Sequence, residues 1–254
     1  MLEPYWLKVE EITIRDPDIP ASFNNFKIAF LTDIHHSPSF SRDRVEKVVE
    51  KVNALKPDVI LLGGDYAEEE LTYLRDCLQV LGKLEAPHGI YGVLGNHEFM
   101  LDPDVAWGEM EANKIASLDN KGIWLYRNEG RIRLGGVGDL WNDSQRIEKV
   151  VENVERDDFV ILLSHNPDYI ERMTTDKVDL ILSGHTHGGQ VTIFGLWAPV
   201  HPSSYGQKYI SGLVETPRAK LLVSNGIGFL DKRPLRFFAR PQINVIYLRN
   251  SEQI

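Results

Sequence analysis

Short apolar runs punctuated by polar or glycine-containing turns set the rhythm of the chain: residues 27–31, 59–62, 90–94, 159–163 and 178–182. Each is rich in β-branched residues and too short for a stable helix, so each predicts a buried strand. Between the first two, Val45, Val48, Val49, Val52 and Leu55 recur at helical spacing with Pro57 just beyond, which predicts an amphipathic helix over 41–55. Leu71, Leu74, Leu78 and Leu81 repeat that spacing before Gly82 and Pro87, giving a second helix ahead of the third strand. Strand, helix, strand, helix, strand implies parallel pairing through crossover connections. After Lys121 the pattern changes to alternating segments at 123–126 and 131–137, expected as added antiparallel strands. Residues 184–212 are rich in Gly and Pro and read as long loops and hairpins. Together these predict a mixed α/β sandwich.

Composition narrows the picture. At 254 residues and 43% hydrophobic, with no internal repeat or separating linker, the chain is expected to form one domain over residues 1–254. No stretch nears the roughly 20 apolar residues of a membrane span, and residues 1–10 lack the features of a secretion signal, so the chain as given reads as soluble. The single cysteine, Cys77, excludes an internal disulfide and a thiolate metal cluster, so any metal must be held by N and O ligands. A net charge of -9 argues against broad nucleic acid binding, and no basic, aromatic-rich stripe supports a nuclease. The acidic run Glu68-Glu69-Glu70 is expected to be a solvated helix start.

The candidate chemistry lies in the turns that follow the strands. Asp33 and His35 follow the first run and Asp65 the second; Asn96 and His97 follow the third, His165 the fourth, His185 and His187 the fifth. In an open α/β sheet, ligands gather at the carboxyl ends of strands, so these side chains should converge in one crevice. Five of the eight histidines occupy such turns; His88 and His201, in proline-flanked loops, are expected to have no catalytic part. Asp33-Ile34-His35 and His185-Thr186-His187 have two-residue spacing, which in extended chain points both side chains the same way. Asp33, His35, Asp65, Asn96, His165, His185 and His187 are too many ligands for one ion and suit two sharing a carboxylate. Their oxygen and imidazole donors favour Mn, Fe or Zn, with Co or Ni also compatible, over Ca or Mg. Two ions about 3.5 to 4 Å apart clamp the attacking and leaving oxygens of an in-line displacement, the chemistry of phosphoester hydrolysis.

The ordered series Asp-x-His, Gly-Asp, Gly-Asn-His-Glu, late His and Gly-His-Thr-His resembles the calcineurin-like metallophosphoesterases. Gly188-Gly189-Gln190, Tyr205-Gly206, Gly212-Leu213, Ser224-Asn225-Gly226-Ile227-Gly228 and Pro234-Leu235-Arg236 look like a bacterial, membrane-associated or exported, phosphodiesterase-like branch of it. The resemblance implies a four-layer α/β/β/α sandwich of two mixed β-sheets flanked by helices. It implies that Asp33, His35, Asp65 and His187 bind one ion and Asp65, Asn96, His165 and His185 the other, with Asp65 bridging. His97 would act beside the scissile phosphate as charge stabiliser or proton donor, with Glu98 holding or tuning its imidazole. Protein phosphatases of the superfamily place arginines next to the Gly-Asp and Gly-Asn-His-Glu motifs; Tyr66 and Leu94 stand there here, which argues against a protein phosphatase. His36 replaces an apolar residue usual in the branch and is expected to face solvent rather than substrate. A membrane segment often precedes the part similar to Glu3-Pro4-Tyr5-Trp6. Its absence here leaves two expectations: a cytoplasmic protein, or a membrane-associated or exported one from which an N-terminal segment was trimmed.

The function expected from these readings is two-metal hydrolysis of a phosphodiester or phosphoanhydride in a small-molecule, cell-envelope lipid-linked or nucleotide-linked substrate. Splitting of UDP-diacylglucosamine, an activity found within the superfamily, is a specific alternative. A metal-binding scaffold without turnover is the alternative of another class, disfavoured because all seven ligands and His97 are present. Val191, Ile193, Phe194, Leu196, Trp197 and Val200 form an apolar stretch interrupted by Gly195 and Pro199. Exposed, it would mark a membrane or partner surface; tucked in, it would be a hairpin in the core.

Overall fold

A strand covered on both faces must be apolar at every position, and the central runs meet that condition. The computed structural model describes residues 3–230 and 235–252; Met1, Leu2 and Pro234, which enter the sequence reading, lie outside them. In chain order the elements are β1 (Lys8–Asp16), β2 (Lys27–Leu31), α1 (Arg42–Leu55), β3 (Val59–Leu62), α2 (Leu71–Leu81), β4 (Ile90–Gly92), α3 (Asn96–Leu101), α4 (Pro103–Ala112), β5 (Ala116–Ser117), β6 (Lys121–Arg127), β7 (Gly130–Gly136), α5 (Ile147–Val150), β8 (Val160–Leu163), β9 (Leu180–Ser183), β10 (Gly212–Glu215), β11 (Lys220–Val223) and β12 (Gln242–Asn250). They form two six-stranded sheets, ordered β1-β12-β2-β3-β4-β5 and β10-β11-β9-β8-β7-β6. Within the first, β2 to β5 are parallel, while β12 runs antiparallel to β2 and parallel to β1. Within the second, β7, β8, β9 and β11 are parallel, with β6 and β10 added antiparallel at the edges.

The period of two along each strand sorts the core into layers. Ile28, Phe30, Val59 and Leu61 point between the sheets and meet Ile161, Leu163, Leu180, Leu182 and Leu222. Their alternates, Ala29, Leu31, Ile60 and Leu62, face outward and pack under Val45, Val48, Val49 and Val52 of α1 and Leu74 and Leu78 of α2. On the far side Val160, Leu162, Ile181 and Val223 are covered by Val150, Tyr169, Ile170 and Met173. Two mixed sheets flanked by helices are thus the architecture the resemblance implies. The expected strands at 90–94 and 178–182 are shorter than the apolar runs. Val93 and Leu94 leave the ladder to carry the chain into α3, and β9 begins at Leu180. His36 corrects its expectation: it is buried, with Nδ1 2.7 Å from the Phe40 carbonyl and Nε2 2.9 Å from Asp76 Oδ2, so it clamps the turn before α1 to α2 rather than facing solvent.

At the amino end of β9, Asp179 Oδ2 accepts from the Val160 amide at 2.7 Å. Burial pushes its carboxyl up to about 7; the Val160 amide and Lys220 oppose the rise, while Asp16 and Asp18 add to it. A folded-state value above the unfolded one means that stability is full below about pH 4 and is lost as pH rises through about 7. Asp179→Asn keeps an oxygen for the Val160 amide. It is expected to flatten that loss and raise stability at pH 8 by on the order of 1–2 kcal/mol. Thermal denaturation from pH 4 to 8 checks this, and an unchanged pH slope in the variant would exclude Asp179 as its source.

Candidate metal centre

The seven proposed ligands come from the carboxyl ends of β2, β3, β8 and β9 and from the first residue of α3, beyond β4. All seven are buried. The turns that deliver them are strained: Asp33, His35, Asp65, His185 and His187 all have φ between 47° and 67°, a left-handed backbone that a residue with a side chain adopts at a cost. Backbone bonds hold them there. The Asp33 amide donates to Gly64 O at 3.0 Å, and the Ile34 and His35 amides donate to Asp65 O at 2.9 and 3.1 Å, locking the first two turns together. Gly95 and Gly184 permit the close approach, because a Cβ on either would run into the Asp65 or the Asp33 carboxylate.

Two groups of donor atoms result from the proposed ligands, and His97 stands close enough to His35 and Asp65 to form a third with them. In one, Asp33 Oδ1 lies 3.5 Å from His187 Nε2 and 3.9 Å from His35 Nε2. The two imidazole nitrogens are 3.0 Å apart, a separation natural to two nitrogens each about 2.1 Å from one ion. In the other, Asp65 Oδ2 lies 3.2 Å from His165 Nε2, with His185 completing the group. The same Oδ2 is 3.6 Å from His35 Nε2, so this one carboxylate faces both groups. Asn96 Oδ1 and His185 Nε2 are buried without a hydrogen-bond partner. Buried polar atoms are seldom left in that state, and a cation would satisfy them.

The residues behind the donors aim them. His165 Nδ1 is 2.7 Å from the Gly63 carbonyl, which turns Nε2 toward Asp65. Thr32 Oγ1 donates to Asp33 Oδ2 at 2.8 Å, and the His185 amide donates to Asp33 Oδ1 at 2.9 Å. Glu68 corrects the expectation of a solvated acidic run: only Glu69 and Glu70 are exposed, while Glu68 is buried with Oε1 2.7 Å from His35 Nδ1. Its place three residues after Asp65, inside the same turn, is the signal that could have found it. Arg236 is fully buried and donates to the carbonyls of His187 and Ala239, fixing the backbone of a ligand.

Charge is finely balanced. Burial opposes ionisation of Asp33 and Asp65, but the surrounding histidines outweigh it and hold both below the usual carboxylate range. Burial likewise opposes charge on His35 and His165, yet Asp33 and Glu68 carry the first, and Asp65 the second, up to about 10. Burial and the charge of His165 push His185 down to about 3, and burial holds His187 well below its ordinary value. Protons on His35 and His165 thus occupy places where divalent cations would supply the same positive charge.

His97 projects from α3 over these groups. Its ring packs edge-on against His35 at 4.7 Å, with Nδ1 3.8 Å from Glu68 Oε1 and Nε2 4.0 Å from Asp65 Oδ2. The expectation that Glu98 holds this imidazole is corrected. Glu98 is buried, and its two oxygens accept from the amides of Asp65, Tyr66 and Gly95 at 2.8 to 2.9 Å, joining the β3 and β4 turns instead. Burial, helped by the Asp65 charge, pushes it up to about 7. Tyr66, where a phosphatase arginine would stand, turns its hydroxyl inward to donate to Val93 O.

A cavity of about 710 Å³ opens above Asp65, Asn96, His97, His185 and His187. Trp141 borders it, packed edge-on against His185 at 4.5 Å. The Trp141 turn is built by buried Asp139, whose Oδ1 accepts from the amides of Trp141 and Asn142. Neither residue was singled out from sequence, although Asp139 also follows a strand end. His201 lines the same cavity, whereas His88 packs against Phe26, away from it. The stretch 191–200 is exposed rather than tucked into the core: Phe194 is 75% and Leu196 84% accessible. No helix among the described residues is long and apolar enough to cross a membrane.

Residues 26–189 match the sequence model of the calcineurin-like phosphoesterases. The metallophosphoesterase YkuE of Bacillus subtilis is 31% identical over 98% of this chain and 88% of its own length. A Helicobacter pylori metallophosphoesterase is 34% identical over 88% of this chain, which spans only 59% of that relative. Relatives from Danio rerio and Bos taurus are named transmembrane proteins with a metallophosphoesterase domain, and this chain spans 58% and 54% of them. Among solved structures, the NAD nucleotidase of Haemophilus influenzae superimposes with a TM-score of 0.53 at 16% identity, over 80% of this chain and 45% of the nucleotidase, a likeness of fold.

Proposed function

Because the chain belongs to the calcineurin-like phosphoesterase family, which makes it a metal-dependent phosphoesterase, we propose that it hydrolyses phosphodiester or phosphoanhydride bonds with two divalent ions. Asp33, His35, Asp65 and His187 would hold one ion, and Asp65, Asn96, His165 and His185 the other. The observation that carries this reading is the position of Asp65 Oδ2 between the two donor groups. Two such ions, when bound, supply Lewis acidity toward the phosphoryl oxygens and make water nucleophilic near neutral pH. Mn, Zn and Fe fit the donor set best.

The chain's own residues do the rest. His97 stands at the cavity floor, partly open to it, where it can stabilise charge on the phosphoryl group or give a proton to the departing oxygen. Glu68 orients His35, and Glu98 ties the Asp65 turn to the Asn96 turn, keeping the donors in register. Tyr66 and Leu94 stand beside the Gly-Asp and Gly-Asn-His-Glu motifs, where protein phosphatases carry arginines that hold a phosphomonoester. That favours a diester or an anhydride. The exposed apolar stretch beside the opening supports a lipid-linked substrate met at a membrane surface, of which UDP-diacylglucosamine is one specific form.

Chelator-stripped protein supplied separately with Mn, Zn, Mg, Co or Ni should regain hydrolysis of chromogenic diesters by at least about 100-fold, ahead of matched monoesters. UDP-diacylglucosamine in mixed micelles belongs in the same panel. A monoester preference would refute the diester reading, and no turnover with any metal would refute the enzyme.

A further inference from the structure

The cavity over the metal centre is much larger than a phosphoryl group requires; its 710 Å³ would hold a drug-sized ligand. Away from the ligands most of its lining is apolar, built from Trp141, Val191, Pro199, Val200, Leu230 and Leu235, with Gln190 and His201 as polar members. Against the apolar part of this wall a sugar or nucleobase would leave donors and acceptors unmatched. An aliphatic chain would not.

The wall continues beyond the opening. Leu235, in the lining, is followed by Phe237 and Phe238, both exposed, and the Phe238 ring meets Phe194 at 5.7 Å. Exposed apolar side chains on a loose loop would mean little, but this loop is built. The Thr192 amide donates to Phe237 O at 2.9 Å and the Phe237 amide to Gln190 O at 2.9 Å, which joins the two apolar segments side by side. The Ile193 amide donates to Trp197 O, Gly195 N donates to Thr192 Oγ1, and Gln207 bonds both the amide and the carbonyl of Ala198. Hydrogen bonds therefore hold Phe194 and Leu196 out in solvent, where contact with an apolar partner would stabilise each.

We propose that the substrate is a phosphoester of a long aliphatic chain. Its phosphoryl group sits on the metal centre, and its chain runs along Trp141, Val200 and Leu235 and out over Phe194 and Leu196. This rests on the phosphoesterase reading above and specifies what that site selects. The test uses metal-loaded protein and p-nitrophenyl alkyl phosphodiesters from methyl to octyl, kept below the concentration at which they aggregate. The value of kcat/KM is expected to rise about two- to fourfold per methylene over the first several carbons. In Val200→Asp the ratio of octyl to methyl ester kcat/KM should fall at least about tenfold. Calorimetric binding of methyl alkylphosphonates carries the same chain-length test without turnover, so the chain subsite and the hydrolysis are judged separately. Turnover of the methyl ester with no gain from longer chains would overturn the chain subsite and leave the phosphoesterase standing. A gain that survives intact in Val200→Asp would overturn the assigned wall. Phosphonates that tighten with chain length in a protein that hydrolyses none of the esters would uphold the wall but overturn the substrate.

Discussion

Asp65→Asn is expected to remove at least one of the two ions proposed per chain and to reduce turnover by about a thousandfold or more. The substitution isolates charge from shape. Asp65 has φ 54°, a left-handed backbone that asparagine tolerates better than most residues, and the Oδ1 that accepts from the His97 amide at 2.9 Å can be replaced by an amide oxygen. What disappears is the negative charge facing His35 on one side and His165 on the other. Elemental analysis after dialysis, with turnover measured at saturating metal, checks the outcome. Full metal content in the variant would show that the two donor groups do not share this carboxylate.

His97→Ala should behave in the opposite way: metal content stays near that of the parent protein while kcat falls by about 10² to 10⁴. The ring lies close enough to His35 and Asp65 to form a donor group with them but is not one of the seven proposed ligands, and the interaction that orients Asp65 comes from the His97 backbone amide, which alanine keeps. The size of the loss should depend on the leaving group. If His97 gives a proton to the departing oxygen, an alkoxide leaving group will suffer more than p-nitrophenolate; if it only stabilises phosphoryl charge, the two will suffer alike. Unchanged kcat on both would remove His97 from the mechanism.

The parts of the fold that could be read in the sequence were those where one physical demand acts alone. β2 and β3 coincide with their apolar runs because layers above and below leave no position for a polar side chain. β1 and β12 are hidden in the sequence for the converse reason. β1 alternates exposed Glu11 and Thr13 with buried Ile14, and β12 begins with buried Gln242 and Asn244, so neither presents an uninterrupted run. At the centre, the seven proposed ligands could be found because each follows a strand, and strand ends share one side of a sheet. Glu68 and Arg236 follow no such rule. A buried glutamate in an acidic triplet and a buried arginine from a distant loop acquire meaning only from what packs around them. Asp139 follows β7 and is within reach of the same rule; its Oδ1 builds the turn that carries Trp141, and tryptophan is no metal donor.

β12, the last strand among the described residues, lies second from one edge of the first sheet, between β1 and β2. All nine residues of β1 pair with β12, and the Gln242 amide that opens β12 donates to Gly226 O, in the segment whose Gly228 amide donates to Asp33 O. During synthesis β1 therefore emerges without the partner it needs, and β2 keeps an open edge until the chain has grown through residue 250. Long-range pairing of this kind is slow and comes late. The turn that carries Asp33 is consequently backed only once the chain has been made through β12, so the donor pocket matures after that strand is available and not on a shorter nascent chain.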